Sequence, residues 1–171
     1  MILIRGERHE DISHIRAVIE RSFGKRLEAD LVDELRAGCK EFLSLVAIRD
    51  GELRGHVLFT PAVIETGVKE IRGMGLAPVA VQPEFQRQGI GSALIREGLR
   101  ILKDRNCPFV IVLGHPEYYP RFGFEPASKF GLQPQWQGIP DEAFMALILN
   151  SAVMRGVTGV ARFRDEFDAA V

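Results

Sequence analysis

With 171 residues, 46% of them hydrophobic and 26% charged, the chain has the length of one domain and enough apolar side chains to bury a core. Lysine and arginine number 22 against 23 aspartates and glutamates, a net charge of -1, so no overall basic field draws in nucleic acid or an anionic membrane. No apolar run approaches the ~20 residues of a membrane span, and Met1-Ile-Leu-Ile-Arg-Gly-Glu lacks the basic start and cleavage site of a signal peptide, so a cytoplasmic address is expected.

Extended and helical signals alternate without a low-complexity linker or an internal repeat, which predicts a single domain over residues 1–171. Residues 2–5 read as a short strand. Asp11 is placed to cap a helix whose Ile12, Ile15 and Ile19 share one face, and Leu27, Leu31 and Leu35 make a second such face closed by Gly38. Strands are expected over 44–49 and 53–60, joined by an Asp50-Gly51 hairpin turn, with Pro61 and Gly67 limiting regular pairing beyond. The next strand covers 71–81, and Pro78, which has no amide to donate, predicts an interruption of its ladder. A helix over 89–104 follows, with Ile90, Leu94, Ile101 and Leu102 inward and Arg96, Arg100 and Lys103 outward, and then a buried strand over 109–113. Strand, helix and strand in this order predict a right-handed crossover between parallel strands.

The last third carries fewer signals. Pro140-Asp-Glu marks a turn or helix start before an edge or central strand over 144–149, and 156–163 reads as an extended tail with turns. Trp136, in a polar loop, is either an acceptor-pocket residue or a packed loop aromatic. Cys39 and Cys107 form no motif and read as free thiols, and the four scattered histidines have no partners at ligand spacing, so no structural metal is expected.

Chemistry concentrates in residues 76–102, where an apolar segment passes through Gln86-Arg-Gln-Gly-Ile-Gly91 into a helix. Glycines there let the backbone approach a ligand, and the first helical amides have no acceptor within the helix and face any anion at its end. A nucleotide P-loop would need Lys-Ser/Thr after Gly91, which is followed by Ser92-Ala93; a dinucleotide fingerprint would need Gly or Ala at Leu94. What remains is Gln86-x-x-Gly89-x-Gly91, preceded by Val79-Ala80-Val81 and Gln82-Pro-Glu-Phe85, with Tyr119-Pro-Arg-Phe-Gly123-Phe124 downstream. These motifs, in this order, resemble the acetyl-CoA loop and the later Tyr-x-x-x-Gly-Phe motif of the GNAT N-acetyltransferase superfamily. The run from His115 to Phe124 resembles a bacterial branch whose substrates are mostly unassigned.

The resemblance covers residues 2–149 in outline and implies an α/β fold: a mixed, largely antiparallel twisted sheet with helices on both faces and splayed parallel central strands. It further implies that backbone groups at Val79 and Val81, flanking Ala80, meet the pantetheine amides of acetyl-CoA. The amides of Arg87, Gln88, Gly89, Ile90, Gly91 and Ser92 would hold its pyrophosphate. Gln86 belongs to the motif or only shapes the turn, and Arg87 is a phosphate partner or a solvated charge.

The implied activity is transfer of an acetyl group from acetyl-CoA to a primary amine of a small molecule or peptide. Tyr119 would be the general acid for the leaving thiolate, with Tyr118 as fallback. The competing account of Tyr119 is packing with Tyr118, Phe122 and Phe124. Glu65, Glu70, Glu117 and His115 are candidate bases, none assigned, and water is the alternative. The rival functional class is a non-catalytic acyl-CoA sensor or partner-binding module; a homodimer is left open.

Overall fold

The computed structural model describes residues 1–171 and divides them into two units. The first comprises Met1–Phe59, Ala77–Arg100 and Asp165–Val171, and the second Thr60–Leu76 and Ile101–Arg164.

In the first unit, strand β1 (Ile2–Gly6) pairs antiparallel with β2 (Leu43–Arg49), and β2 with the first half of β3 (Glu52–Glu65), from Leu43↔Phe59 to Arg49↔Glu52. The expected hairpin turn closes β2 on β3: Asp50 and Gly51 have φ of 54° and 77°, the pair of left-handed residues that a two-residue hairpin with the twist of its strands needs. Helices α1 (Ile12–Phe23) and α2 (Leu27–Gly38) pack on each other and bury Ile15, Val18 and Ile19 from one and Ala29, Leu31, Val32 and Leu35 from the other. Asp11 stands at the head of α1 but does not cap it. Its carboxylate instead takes the Arg5 guanidinium at 2.7 Å and the Arg8 amide at 2.7 Å, which hold its carboxyl below the usual range.

Strand β4 (Glu70–Val81) is followed by α3 (Ile90–Asp104), one residue shorter at its start than expected. Within the first unit Ile90 and Leu94 are buried as expected, and so are Ile95 and Leu99, which widen the apolar stripe. The helix lies directly on β3. A side chain at Gly98 would strike the Phe59 ring, and one at Gly55 would come within 2.9 Å of Ile90 Cγ2. Successive residues of a strand point to opposite faces, so His56 faces the other way, where Ser44, Glu7 and Arg36 of α2 lie. Helices therefore cover both faces of β3 here.

In the second unit the far half of β3 pairs antiparallel with β9 (Gly159–Arg162), from Val63↔Arg162 to Glu65↔Val160. β3 thus runs past Pro61, contrary to the expected limit; the proline, having no amide to donate, falls between the last β2 partner at Phe59 and the first β9 partner at Val63. Residues Met74–Leu76 of β4 pair parallel with β5 (Phe109–Leu113), and this register ends at Leu76↔Val112, just before Ala77-Pro78. Strand β8 (Phe144–Ile148) lies between β5 and the short β6 (Glu125–Pro126), which makes it a central strand. The residues read as an extended tail hold β9, flanked by β3 and by β7 (Leu132–Pro134), the latter parallel. One turn of helix, α4 (Ser151–Met154), is capped by the Asn150 side chain, which accepts the Val153 amide at 3.2 Å. Trp136 stacks on Phe163 with centroids 5.6 Å apart, and Phe163 in turn lies over Gly75.

No helix is long and apolar enough to cross a membrane. Cys39 and Cys107 are half-buried, and the Cys107 thiol donates to the Phe109 carbonyl at 3.2 Å.

The polar cluster on the covered face of β3 sets an acid limit on stability. Ser44 Oγ donates to Glu7 Oε1 at 2.7 Å and lies 2.8 Å from His56 Nε2, while the Arg36 fork holds the same carboxylate at 2.7 Å. Burial opposes ionisation of Glu7, but the bonds from Arg36 and Ser44 outweigh it and keep its carboxyl below the usual range. With Glu7 ionised, the Ser44 hydroxyl proton points to it, so His56 Nε2 carries hydrogen and donates to Ser44. Burial lowers the His56 pKa from 6.5 to about 4. Between those values the unfolded chain binds the proton that the folded one refuses, so stability rises with pH across the window and is complete above it. That window is worth on the order of 3 kcal/mol. Denaturant midpoints measured from pH 4 to 7 should climb for the wild type, and His56→Gln, which has no imidazole to titrate, should flatten the climb.

Candidate active site

The first unit holds the residues expected to form the cofactor loop. Val79 is half-buried and Ala80 and Val81 are buried at the end of β4; a tight turn, Pro83–Phe85, follows Gln82. Gln86 donates its side-chain amide to the Val81 carbonyl at 3.0 Å, tying the loop back to the strand it has just left. Arg87 is exposed at φ 62° and Gly89 exposed at φ 87°, two left-handed residues that swing the backbone into α3. A side chain at Gly89 would meet nothing within 4 Å, so the constraint there is conformational and not one of space. Gly91 lies within the first turn of α3 and takes no left-handed angle, so backbone conformation does not require glycine there.

Ala93 donates to the Gly89 carbonyl at 3.0 Å, the first helical bond. The amides of Ile90 and Gly91 precede it, in the turn that has no acceptor inside the helix, where the helix dipole also favours negative charge. Three arginines from other elements reach this loop: Arg21 of α1 pairs with Glu84, Arg49 of β2 with Gln88, and Arg54 of β3 with Gln82 and the Phe85 ring.

The second unit holds Tyr119 and all four candidate bases. Tyr119 opens a short turn, Tyr119–Phe122, closed by Gly123 at φ 98°. The amides of Tyr118 and Tyr119 donate to the His115 carbonyl at 3.1 and 3.4 Å, so His115 shapes the turn through its backbone. The Tyr119 ring meets Tyr118 edge-on with centroids 5.1 Å apart and Phe124 at 5.8 Å. Burial, with a smaller contribution from Tyr118, pushes its phenol up to about 12. Tyr118 in turn carries the Arg121 guanidinium over its face, 4.4 Å from the centroid. Glu70, Glu117 and the His115 imidazole are exposed, and Glu65 pairs with Arg162 at 3.1 Å. No group of three or more His, Cys, Asp or Glu residues is arranged to hold a metal.

Known proteins with the same pattern agree across the chain. The acetyltransferase (GNAT) domain family matches residues 4–127. YjhQ of Escherichia coli K12, an uncharacterized N-acetyltransferase, is 39% identical over 90% of this chain and 86% of its own length. The crystal structure of the GNAT family N-acetyltransferase YhbS from Escherichia coli, in complex with CoA, superposes with a TM-score of 0.89 at 36% identity, covering 98% of this chain and 92% of that one. A GNAT family acetyltransferase from Brucella melitensis in complex with acetyl-CoA gives 0.78 at 34% identity, covering 98% and 99%.

Gly114, which opens the run leading into the Tyr119 motif, adjoins the Tyr119 ring. A Cβ there would come within 2.5 Å of Tyr119 Cε2 and 3.2 Å of Cδ2, so the ring occupies the space a side chain would take. Its amide is fixed by the Ala143 carbonyl at 2.9 Å, which leaves the backbone little room to withdraw. Gly114→Ala should therefore push the ring aside and destabilise the fold by about 1–3 kcal/mol. The loss should shrink when Tyr119 is also changed to alanine, and a double-mutant cycle from denaturant curves reads that coupling.

Proposed function

Because the chain belongs to the GNAT family of acetyl-CoA-dependent N-acetyltransferases, we propose that residues 1–171 act as one catalytic domain transferring the acetyl group of acetyl-CoA to a primary amine on a small molecule or peptide. The observation that carries this is the Gln86-x-x-Gly89-x-Gly91 turn, which delivers the end of β4 into the first turn of α3. Relatives bound to CoA and acetyl-CoA support the cofactor.

In this scheme the backbone of Val79 and Val81 pairs with the pantetheine amides and the amides from Arg87 through Ser92 receive the pyrophosphate. Gln86 acts through its bond to Val81 and so maintains the path of the loop. Arg87 adds a charge beside the phosphates.

Reaction begins with a neutral amine nitrogen attacking the thioester carbonyl carbon. The C–N bond forms, the C–S bond breaks, and the surplus amine proton leaves to water or to a base not assigned among Glu65, Glu70, Glu117 and His115. The departing sulfur meets the Tyr119 phenol. A phenol near 12 is fully protonated at neutral pH and is a weaker acid than a thiol, whose ordinary value is about 8.5. It therefore serves first as a hydrogen-bond donor while charge builds on sulfur, and any proton it releases is restored from solvent.

Gly91→Glu puts bulk and negative charge into the first turn of α3, where the pyrophosphate is proposed to lie. The variant should fold and bind acetyl-CoA at least about tenfold more weakly by calorimetric titration, a loss of ~1.4 kcal/mol; unchanged affinity defeats the proposed cradle.

Tyr119→Phe keeps the ring and removes the donor. At saturating acetyl-CoA and with an amine found by screening, turnover should fall by roughly 100-fold to 10,000-fold with little change in acetyl-CoA affinity, while Tyr118→Phe has a small effect. Wild-type turnover in both folded variants would leave Tyr119 a packing residue.

A further inference from the structure

Arg54 makes three kinds of contact with its surroundings in the first unit. Its Nη1 donates to Gln82 Oε1 at 3.0 Å, its Nη2 meets the Glu52 carboxylate at 2.7 Å, and its guanidinium carbon lies 4.3 Å from the centre of the Phe85 ring. Its carbonyl also accepts the Gln82 amide at 2.9 Å. One residue thus grips the segment immediately before the Pro83–Phe85 turn and the last residue of that turn. The following residues are held as well. Gln86 bonds to Val81, Glu84 pairs with Arg21, and Gln88 accepts from Arg49 at 2.6 Å while donating to the Glu84 carbonyl at 3.4 Å.

We propose that Arg54 is a positioning residue for acetyl-CoA: through Gln82 and Phe85 it fixes the Pro83–Phe85 turn, and with it the path of the backbone into the amides of Arg87 through Ser92. The proposal rests on the reading that these amides hold the cofactor. Ordering one loop residue costs about 1–2 kcal/mol of conformational entropy, and a loop already ordered in the free protein removes that cost from binding. Arginine suits this place and lysine does not, because a planar fork reaches two acceptors at once while stacking on a ring.

The same contacts give Arg54 little to do for folding stability. An ion pair to Glu52, whose side chain is 67% exposed, contributes little, and the buried Arg54 Nε has no hydrogen-bond partner. A residue that mattered only for packing would change stability and leave cofactor affinity alone; Arg54 is expected to do the reverse.

The test measures CoA and acetyl-CoA affinity by calorimetry, steady-state kinetics with an accepted amine, and thermal midpoints for Arg54→Ala, Arg54→Lys, Phe85→Leu and the Gly91→Glu reference. Arg54→Ala should weaken CoA binding and raise KM for acetyl-CoA by about tenfold, with kcat at saturation within about twofold of wild type and the thermal midpoint nearly unmoved. Arg54→Lys should recover only part of the loss. Phe85→Leu should cause a smaller loss that does not add to that of Arg54→Ala. Folded Arg54→Ala and Phe85→Leu variants with wild-type affinity and KM overturn the proposal if Gly91→Glu is weakened, while leaving the loop reading in place; wild-type affinity in Gly91→Glu defeats the loop reading itself. Should Arg54→Ala not fold, Phe85→Leu and Gln82→Ala carry the same comparison, and wild-type affinity in both overturns the assignment.

Discussion

The course of the glycine loop in the first unit depends on how closely α3 can lie on β3. Two glycines set that distance, Gly55 on the strand beneath Ile90 and Leu94, and Gly98 on the helix against the Phe59 ring. A methyl group at either crossing would have to displace a buried side chain, and such overpacking costs about 1–3 kcal/mol. Helix and strand held this close fix the first turn of α3 against the sheet. The loop from Gln82 to Gln88 then has a defined start at β4 and a defined end at α3, and short side-chain bonds are enough to set its course.

The candidate residues of the two units are of different kinds. The loop in the first offers backbone: its side chains mostly bond to the loop itself or to neighbouring strands and helices, and the groups proposed to meet the cofactor are amides. The second offers one phenol, held by ring edges and by the empty position at Gly114. Backbone recognition tolerates many side chains provided that the path is kept, which explains why a loop with few charged groups can be proposed for a highly charged ligand. A phenol has no such latitude, since its oxygen is placed by the whole ring.

What could be read from the sequence was local. The Asp50-Gly51 hairpin follows from residues that accept left-handed angles, the amphipathic helices from their repeat, and the parallel β4–β5 pair from the helix between them. The glycine turn and the Tyr119 motif were legible because their residues are neighbours in the chain. Features made by distant residues were not. Pro61 looked like a strand end because the partner exchange that accommodates it, from β2 to β9, involves chain more than a hundred residues apart. His56 carried no signal, as its partner Ser44 and the Glu7 and Arg36 that complete the cluster come from three other places. Asp11 had the right spacing for a cap, but Arg5 and the Arg8 amide competed successfully for its carboxylate. Trp136 left two readings open, and its stack on Phe163 accounts for it as a packed aromatic.

The division of the chain also bears on the order in which it can fold during synthesis. The first unit is written in three instalments: it is left at Phe59, resumed at Ala77, left again at Arg100 and completed only by Asp165–Val171, which brings Phe167 into a buried position beside α2. The second unit has all its residues by Arg164. Although α1, α2 and the first two strands emerge early, the segment that completes their unit emerges only after all of the second unit. The first unit is therefore incomplete while the second is synthesised, and Asp165–Val171 is the segment that closes it.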